Sequence, residues 1–438
     1  MGTNEQNQQE KRELRRKRRQ RSQFIAYTIV VIMILVLAAG IAFAVSKITS
    51  MSRNQEEQQN KVDEIFSNEE TIQAPTESQE TVEELTDEQK LDTIINEAII
   101  QNMPLEDKVA GLFITTPESI TGVSAAVQAG DGTKDALSKY PVGGIVYAAR
   151  NIQSADQLKQ MIDNTKLYTS YPLFIAIDGE GSGTDAVAAA GLGTKVDTPQ
   201  SIGAGEDTSK AYMAGTTVGT YLAELGFNLD FAPSADLGVV DGNAAGSSSY
   251  GSEADNVASF VGYMQAGLQE QKVTTCIGQF PGIGSTTQST KDGMASTDRS
   301  AEDFRANEFA AFQTCIDNGM TKMIRVSAMA APSLTGDNTP CTLSGAVVTD
   351  VLRNELNFRG VIVSGAMNEA AISNYYGADE AAVMALRAGC DMIYAPENFE
   401  TAYNGVLEAV QNGTISEDRI NDSLRRIYRI KYADKLEQ

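Results

Sequence analysis

Short apolar segments that recur at helix-sized intervals constrain the fold of this chain more than any other feature. Strands that alternate with helices form parallel β/α units, and eight such units predict a closed TIM-type (β/α)8 barrel. An open doubly wound sheet is the alternative. The strand candidates are Leu112–Thr115, Gly143–Tyr147, Leu173–Asp178, Phe227–Ala232, Thr275–Phe280, Met323–Val326, Gly360–Ser364 and Asp391–Tyr394. The segments of helical character include Ser209–Leu225, Val257–Gln271, Ala301–Asn318, Ser344–Leu356, Asp379–Ala388 and the closing Ser416–Lys431.

The N-terminal region predicts a membrane anchor followed by a linker. Residues 1–23 carry eight basic and three acidic side chains, and residues 24–45 contain no charged side chain over 22 positions. A segment of that length spans a bilayer as a helix, and the basic cluster before it keeps the N-terminus in the cytoplasm. A signal peptide cleaved after Ala42-Phe43-Ala44 is the alternative. Either way residues 46–90, a polar stalk, and residues 91–438, the barrel, are expected outside the cell.

Composition excludes several classes of function. The chain has no His, which excludes His-based triads, His metal sites and imidazole acid–base catalysis. A net charge of −23 argues against nucleic acid as a partner. The four cysteines have no metal-like spacing and are predicted to be buried thiols rather than disulfides. We expect no metal and no cofactor.

Charged side chains near the ends of the predicted strands are the candidate site residues, because TIM barrels carry their chemistry there. Asp178 and Glu180 follow the third strand, where they could bind sugar hydroxyls or cap a turn. Asp230 is predicted to point into the barrel and Asp236 to reach its mouth, with structural roles favoured for both. Arg325 lies inside the sixth strand, where a guanidinium must be paired with an acid.

The seventh strand ends without an acid. Val361, Ile362 and Val363 form a buried β-branched run, and Ser364 and Gly365 follow where that strand meets its loop. A hydroxyl and a glycine therefore occupy a place where a barrel enzyme would carry a catalytic group.

Several segments, in order and at matching spacing, resemble glycoside hydrolase family 3. They resemble in particular its single-barrel β-N-acetylhexosaminidase branch, which trims amino sugars of the bacterial cell wall, and the resemblance covers residues 95–432. The matching segments are Leu105–Val109, Phe174–Gly181, Leu225–Ala235, Phe280–Gly282, Thr342–Ser344, Phe358–Met367 and Ala388–Pro396.

The same resemblance shows which catalytic groups differ. The strand-seven motif of the family resembles V-x-S-D-A-M-N-M with the Asp as nucleophile, and Gly365 stands at that position here. The acid/base pair of a D-S-H loop is matched by Ser289-Thr290-Lys291. The resemblance therefore implies loss of both catalytic partners, with Glu369 as a possible relocated acid.

The sugar-contacting positions are partly retained. In the family's K-H-F-P-G-H-G motif the Lys and His bind sugar hydroxyls, and Gly278 and Gln279 stand there. The Arg of R-S-F-G is matched by Ser248, and the strand-six His by Ala328. Asp178 matches the family, and Glu180 matches its adjacent Glu. The predicted substrate-binding residues are Asp178, Glu180, Gln279, Asp236 and Arg325.

These observations predict a membrane-anchored, catalytically inactive family 3 homologue in the bacterial envelope. It would bind an amino-sugar glycan or muropeptide, or an envelope protein, and Gly365 would admit a bulkier or anionic ligand. An active β-N-acetylglucosaminidase that uses relocated acids such as Asp178, Glu180, Asp292 or Glu369 is the alternative. A scaffold that binds no saccharide is a third hypothesis.

Overall fold

The computed structural model describes residues 86–179 and 186–433. The predicted cytoplasmic tail, the predicted membrane helix and the linker as far as residue 85 lie outside the described residues, as does Glu180. The first described helix, Asp87–Ile94, begins within the last residues of the predicted linker. Of the helices in these two ranges, none combines the length and apolarity needed to cross a bilayer.

The core is a closed barrel of eight parallel strands in sequence order, as predicted, so the open-sheet alternative is wrong. It closes where Phe113 and Ile114 of β1 pair with Ile393 and Tyr394 of β8. The strands are β1 Phe113–Thr115, β2 Gly144–Val146, β3 Phe174–Ile177, β4 Leu229–Asp230, β5 Thr274–Phe280, β6 Met323–Val326, β7 Val361–Ala366 and β8 Met392–Tyr394. Their buried, mostly apolar residues fit strands covered on both faces.

Helices surround the barrel and connect its strands. The α-helices of the described residues are α1 Asp87–Ile94, α2 Leu105–Ala110, α3 Pro117–Thr121, α4 Asp131–Lys139, α5 Ala155–Leu167, α6 Ala186–Ala189, α7 Pro199–Gly203, α8 Ser209–Leu225, α9 Ala254–Glu270, α10 Ala301–Ala306, α11 Glu308–Asp317, α12 Pro332–Thr335, α13 Ala370–Ser373, α14 Ala378–Ala388, α15 Phe399–Gln411 and α16 Glu417–Lys431. Two π-helical segments, Ile95–Ile99 and Ala346–Glu355, and four 3₁₀ segments, Ile100–Asn102, Ala149–Asn151, Gly246–Ser248 and Cys341–Leu343, complete them.

The predicted helix Ala301–Asn318 is interrupted at Asn307. Residues five apart in a continuous α-helix point about 140° away from each other. The break lets Phe304 and Phe309 both enter the core, where their rings stack with centroids 5.9 Å apart. Aromatic packing therefore overrides the continuous helical pattern.

All four cysteines are buried and free, which confirms the prediction of thiols.

A fully buried carboxylate, Asp391, fixes the last helix against the barrel. One of its oxygens accepts hydrogen bonds from the Arg353 guanidinium at 2.8 Å and from the Ile362 amide at 2.9 Å. The other accepts from Arg426 of α16 at 2.9 Å and from the Ser423 hydroxyl at 2.7 Å. Asp391 immediately precedes β8, so this cluster joins β7, β8, the π-helical segment before β7 and α16.

We expect Asp391→Asn to lower the free energy of unfolding by about 3–5 kcal/mol, because it leaves largely buried arginines without their counter-charge. Urea denaturation of the purified chain measures this. Asp422→Asn is the control, since Asp422 forms a partly exposed ion pair with Arg425, and such pairs contribute under about 1 kcal/mol. Equal losses in the two variants would contradict the assigned role of Asp391.

Candidate functional site

A polar cavity of about 340 Å³ opens at the carboxyl ends of the strands. It lies at the face where TIM barrels carry their active sites. Its described lining comes from the ends of β3, β4, β5 and β6 and from the loops that follow β4 and β5: Asp178, Gly179, Phe231, Ser234, Asp236, Ala244, Ala245, Ser248, Gly278, Gln279, Ile283, Lys291 and Arg325. Four of the five predicted substrate-binding residues are therefore brought together.

An ion pair between β3 and β6 forms one wall of this cavity. The Arg325 guanidinium donates to the Asp178 carboxylate at 2.9 Å, which confirms that Arg325 is paired with an acid. The Asp178 side chain is 51% exposed and that of Arg325 only 12%. Asp178 is thus held in position by a cation behind it while one face of its carboxylate remains open to a ligand.

Two aromatic rings enclose the guanidinium. The Arg325 Cζ lies 5.2 Å from the ring centroid of Phe231, after β4, and 5.9 Å from that of Tyr394, in β8. Burial alone would lower the pKa of Arg325, but the Asp178 carboxylate raises it above its ordinary value. The cation therefore stays charged and pre-organises Asp178.

Asp236 lines the cavity at the mouth of the barrel, as predicted, but its side chain is buried. Its buried carboxylate accepts hydrogen bonds from the backbone amides of Gln279 at 2.9 Å and Ile283 at 2.8 Å and from the Ser234 hydroxyl at 2.9 Å. Burial raises the pKa of Asp236, and these hydrogen bonds oppose the rise. The loop after β5 folds over this carboxylate and occupies its oxygens, so Asp236 shapes the cavity wall, in line with the structural role that the sequence favoured.

The loop in the acid/base position reaches the cavity through Lys291. The Lys291 amide donates to the Ser289 hydroxyl at 3.2 Å, and the Thr290 carbonyl accepts from the Ala371 amide of α13 at 2.9 Å. The loop is therefore fixed to the segment that follows β7. It contributes a lysine to the lining, where catalysis by a carboxylic acid would need a carboxyl group.

Of the proposed relocated acids, Asp178 lines the cavity, and the other three lie outside its described lining or outside the described residues. Asp292 is exposed and Glu369 is the N-cap residue of α13, and neither belongs to the described lining. Glu180 follows Gly179, which does line the cavity, but Glu180 itself lies outside the described residues.

Gly365, at the position of the family nucleophile, is buried in β7 and has no room for a side chain. A Cβ atom placed on its backbone would lie 2.9 Å from the Val326 carbonyl oxygen and 3.0 Å from the Ala328 amide nitrogen. The Gly365 amide donates to the Thr342 hydroxyl at 3.0 Å. The hypothesis that Gly365 opens space for a larger ligand is therefore wrong, because the backbone after β6 occupies that space.

Sequence reasoning missed the aromatic residues of the site. Phe231 and Tyr394 stand at the carboxyl ends of β4 and β8, beside a buried arginine. The sequence did contain a sign of this role, because an aromatic residue at the carboxyl end of a barrel strand is placed to enclose a ligand or a cation.

The described lining offers two acids, Asp178 and Asp236, and both already have partners within the protein. Asp178 is paired with a cation and Asp236 is bound to backbone amides. The cavity can donate and accept hydrogen bonds and can pack an apolar face of a ligand against Phe231.

The barrel of this chain is similar in sequence to a known family and to several of its members. The family model described as the N-terminal domain of glycosyl hydrolase family 3 matches residues 104–430. Among curated proteins, the chain is 25% identical over 323 residues to β-hexosaminidase A of Pseudoalteromonas piscicida, covering 67% of this chain and 54% of that protein. It is 29% identical over 263 residues to a β-hexosaminidase of Nitrosomonas eutropha, covering 59% and 74% respectively. The chain thus spans about half the length of the Pseudoalteromonas relative.

Solved structures show the same fold. The family 3 β-N-acetylglucosaminidase from a Paenibacillus species superimposes with a TM-score of 0.69 and 29% identity, over 77% of this chain and 64% of that one. A β-N-acetylhexosaminidase from Beutenbergia cavernae superimposes with a TM-score of 0.67 and 26% identity, over 75% of this chain and 99% of that one.

We expect Gly365→Ala to lower the free energy of unfolding by about 1–3 kcal/mol, because the new methyl group forces the ends of β6 and β7 apart. Urea denaturation measures the loss. Gly132→Ala is the matched control: nothing lies within 4 Å of its Cβ position, and Ala favours a helix by about 1 kcal/mol. Two equally stable variants would show that β7 has room for a side chain.

Proposed function

The chain belongs to glycosyl hydrolase family 3 as a β-hexosaminidase-like member, and from this premise we propose that it is a catalytically inactive glycan-binding protein. Its ligand is an amino-sugar glycan of the bacterial envelope, bound in the cavity beside Asp178. The relatives named above, β-hexosaminidases and β-N-acetylglucosaminidases, suggest the amino-sugar class.

The main support for a loss of activity is that the backbone around Gly365 leaves no space for a side chain. Retaining glycoside hydrolysis needs a nucleophile and an acid/base about 5 Å apart. Gly365 supplies no nucleophile, and the nearby backbone of Val326 and Ala328 excludes a larger residue. Lys291 faces the cavity from the acid/base loop. Loss of both groups together removes many orders of magnitude in rate.

The observation that supports binding is the half-exposed carboxylate of Asp178. Its ion pair with Arg325 fixes the orientation of an acceptor that a sugar hydroxyl can reach. Gln279 and Ser248 supply further polar groups in the lining, and Phe231 supplies an apolar surface. A cavity of about 340 Å³ falls within the range of small-ligand sites.

The proposed location is the outer face of a bacterial cell membrane, with residues 24–45 as a single span and the N-terminus in the cytoplasm. Its support is the uncharged 22-residue run behind a basic cluster. Washing membranes of cells that express the full chain with alkaline carbonate tests this. Release of the chain into the soluble fraction would contradict an anchor.

Titration calorimetry of the full chain with N-acetylglucosamine and with a muropeptide tests binding. We expect saturable binding that Asp178→Asn weakens tenfold or more, since a hydrogen bond to a charged group contributes about 1.5–3 kcal/mol. Asp292→Asn is the control, because it removes an exposed acid beside the cavity but outside its described lining. Absence of saccharide binding would contradict the proposal and favour the scaffold hypothesis.

The same proteins are expected to release no chromophore from a chromogenic β-N-acetylglucosaminide. Turnover that Glu180→Gln or Glu369→Gln abolishes would instead support an active hydrolase with a relocated acid.

A further inference from the structure

A second and larger cavity, of about 830 Å³, lies at the amino ends of the strands, on the face opposite the site described above. Phe174, Thr274 and Gly360 mark the starts of β3, β5 and β7 in its lining, and α16 closes one side. The chemistry of the family is expected at the carboxyl ends, so that chemistry does not account for this cavity.

The charge of this cavity is opposite to that of the chain. Its described lining contains six cationic side chains and a single acid, Glu270, in a chain of net charge −23. The cations are Lys272, Lys322, Arg359, Arg426, Arg429 and Lys431. The Glu270 carboxylate accepts a hydrogen bond from the Tyr212 hydroxyl at 2.5 Å, which already occupies one of its oxygens. Cations concentrated in a concave surface attract anions.

The three cations from α16 are held in place by the fold. Arg426 is paired with buried Asp391 at 2.9 Å, and Arg429 is paired with Asp92 of α1. Lys431 donates to the Gly143 carbonyl at 2.8 Å. Lys322 and Arg359, by contrast, are exposed at the starts of β6 and β7 and have no carboxylate partner within the described residues. The cavity therefore combines a fixed basic wall with cations that can turn toward a ligand.

Burial destabilises the charged form of Lys431, which has no carboxylate partner among the hydrogen bonds described above. Its ammonium lies 4.8 Å from the ring centroid of Phe174 and 5.3 Å from that of Tyr428. Burial lowers the pKa of Lys431 to about 7. An anion bound nearby would stabilise its charged form.

Much of the remaining lining is apolar, beside polar residues such as Asn228, Gln269 and Thr321. Leu91, Leu173, Phe174, Ile316, Phe358 and Ile430 contribute side chains to the wall. A simple inorganic anion would leave this surface in contact with water, whereas a ligand with an apolar body would cover it.

We propose that this cavity is a binding site for a phosphorylated amphiphile, with its phosphate among Lys322, Arg359 and the cations of α16 and its apolar body against the wall. The proposal is independent of the glycan site, which lies at the other end of the barrel.

Titration calorimetry of the full chain with monomeric dihexanoyl phosphatidic acid tests the site. We expect saturable binding that the double variant Lys322→Glu/Arg359→Glu weakens tenfold or more, because two attractive charges become repulsive. Inorganic pyrophosphate, which lacks the apolar body, and the zwitterionic dihexanoyl phosphatidylcholine should each bind at least tenfold more weakly than phosphatidic acid.

The matched control is Lys195→Glu/Lys210→Glu, which changes net charge equally at two exposed lysines outside the cavity. It should bind phosphatidic acid like the unmodified chain. Both double variants should keep the thermal unfolding midpoint of the parent, since all four positions are exposed. Equal affinity for phosphatidic acid and either comparison compound would overturn the proposal. So would equal affinities of the two double variants.

Discussion

The close approach of β6 and β7 at their carboxyl ends is the constraint on which the rest of the site depends. At Gly365 the backbone of β7 lies so near Val326 and Ala328 that a Cβ atom would be 2.9 Å from a carbonyl oxygen. No positive φ angle requires glycine there, so packing alone selects it. The position that corresponds to the nucleophile of the resembled motif is buried in the barrel, and any side chain there would meet the backbone of Val326 and Ala328.

The cavity retains a cation although the lysine of the resembled motif is replaced by glycine. Gly278 stands where the resembled motif has a lysine, and the space next to its Cβ position is filled by Arg325, whose Cβ and Nε atoms lie 3.3 and 3.6 Å away. The cation that faces Asp178 therefore comes from β6, while β5 contributes none at this position. Because Asp178 keeps an ion-paired, half-exposed carboxylate, the cavity retains a hydrogen-bond acceptor although its catalytic groups differ from those of the family.

The sequence allowed the barrel to be predicted almost completely, because strands buried on both faces are short β-branched runs that periodicity reveals. All eight strands fall at the predicted places. The pairing of Arg325 was predictable because a buried guanidinium needs an acid. The burial of Asp236 was not, because it depends on how the Gln279–Ile283 loop folds back over it. The lack of space for a side chain at Gly365 could not be predicted either, since it depends on backbone atoms of a neighbouring strand. The basic cavity escaped notice because its cations come from separate segments, between residues 272 and 431, that converge only in the fold.

We propose above all that the described residues of this barrel include no group placed to attack an anomeric carbon. Retaining enzymes form a covalent glycosyl-enzyme, which an activated 5-fluoro-N-acetylglucosaminyl fluoride traps. Intact-mass spectrometry of the full chain after incubation with this reagent reads the result directly. We expect the mass of the chain to be unchanged. A gain of one sugar, located by peptide mapping on a carboxylate such as Glu180 or Glu369, would contradict it.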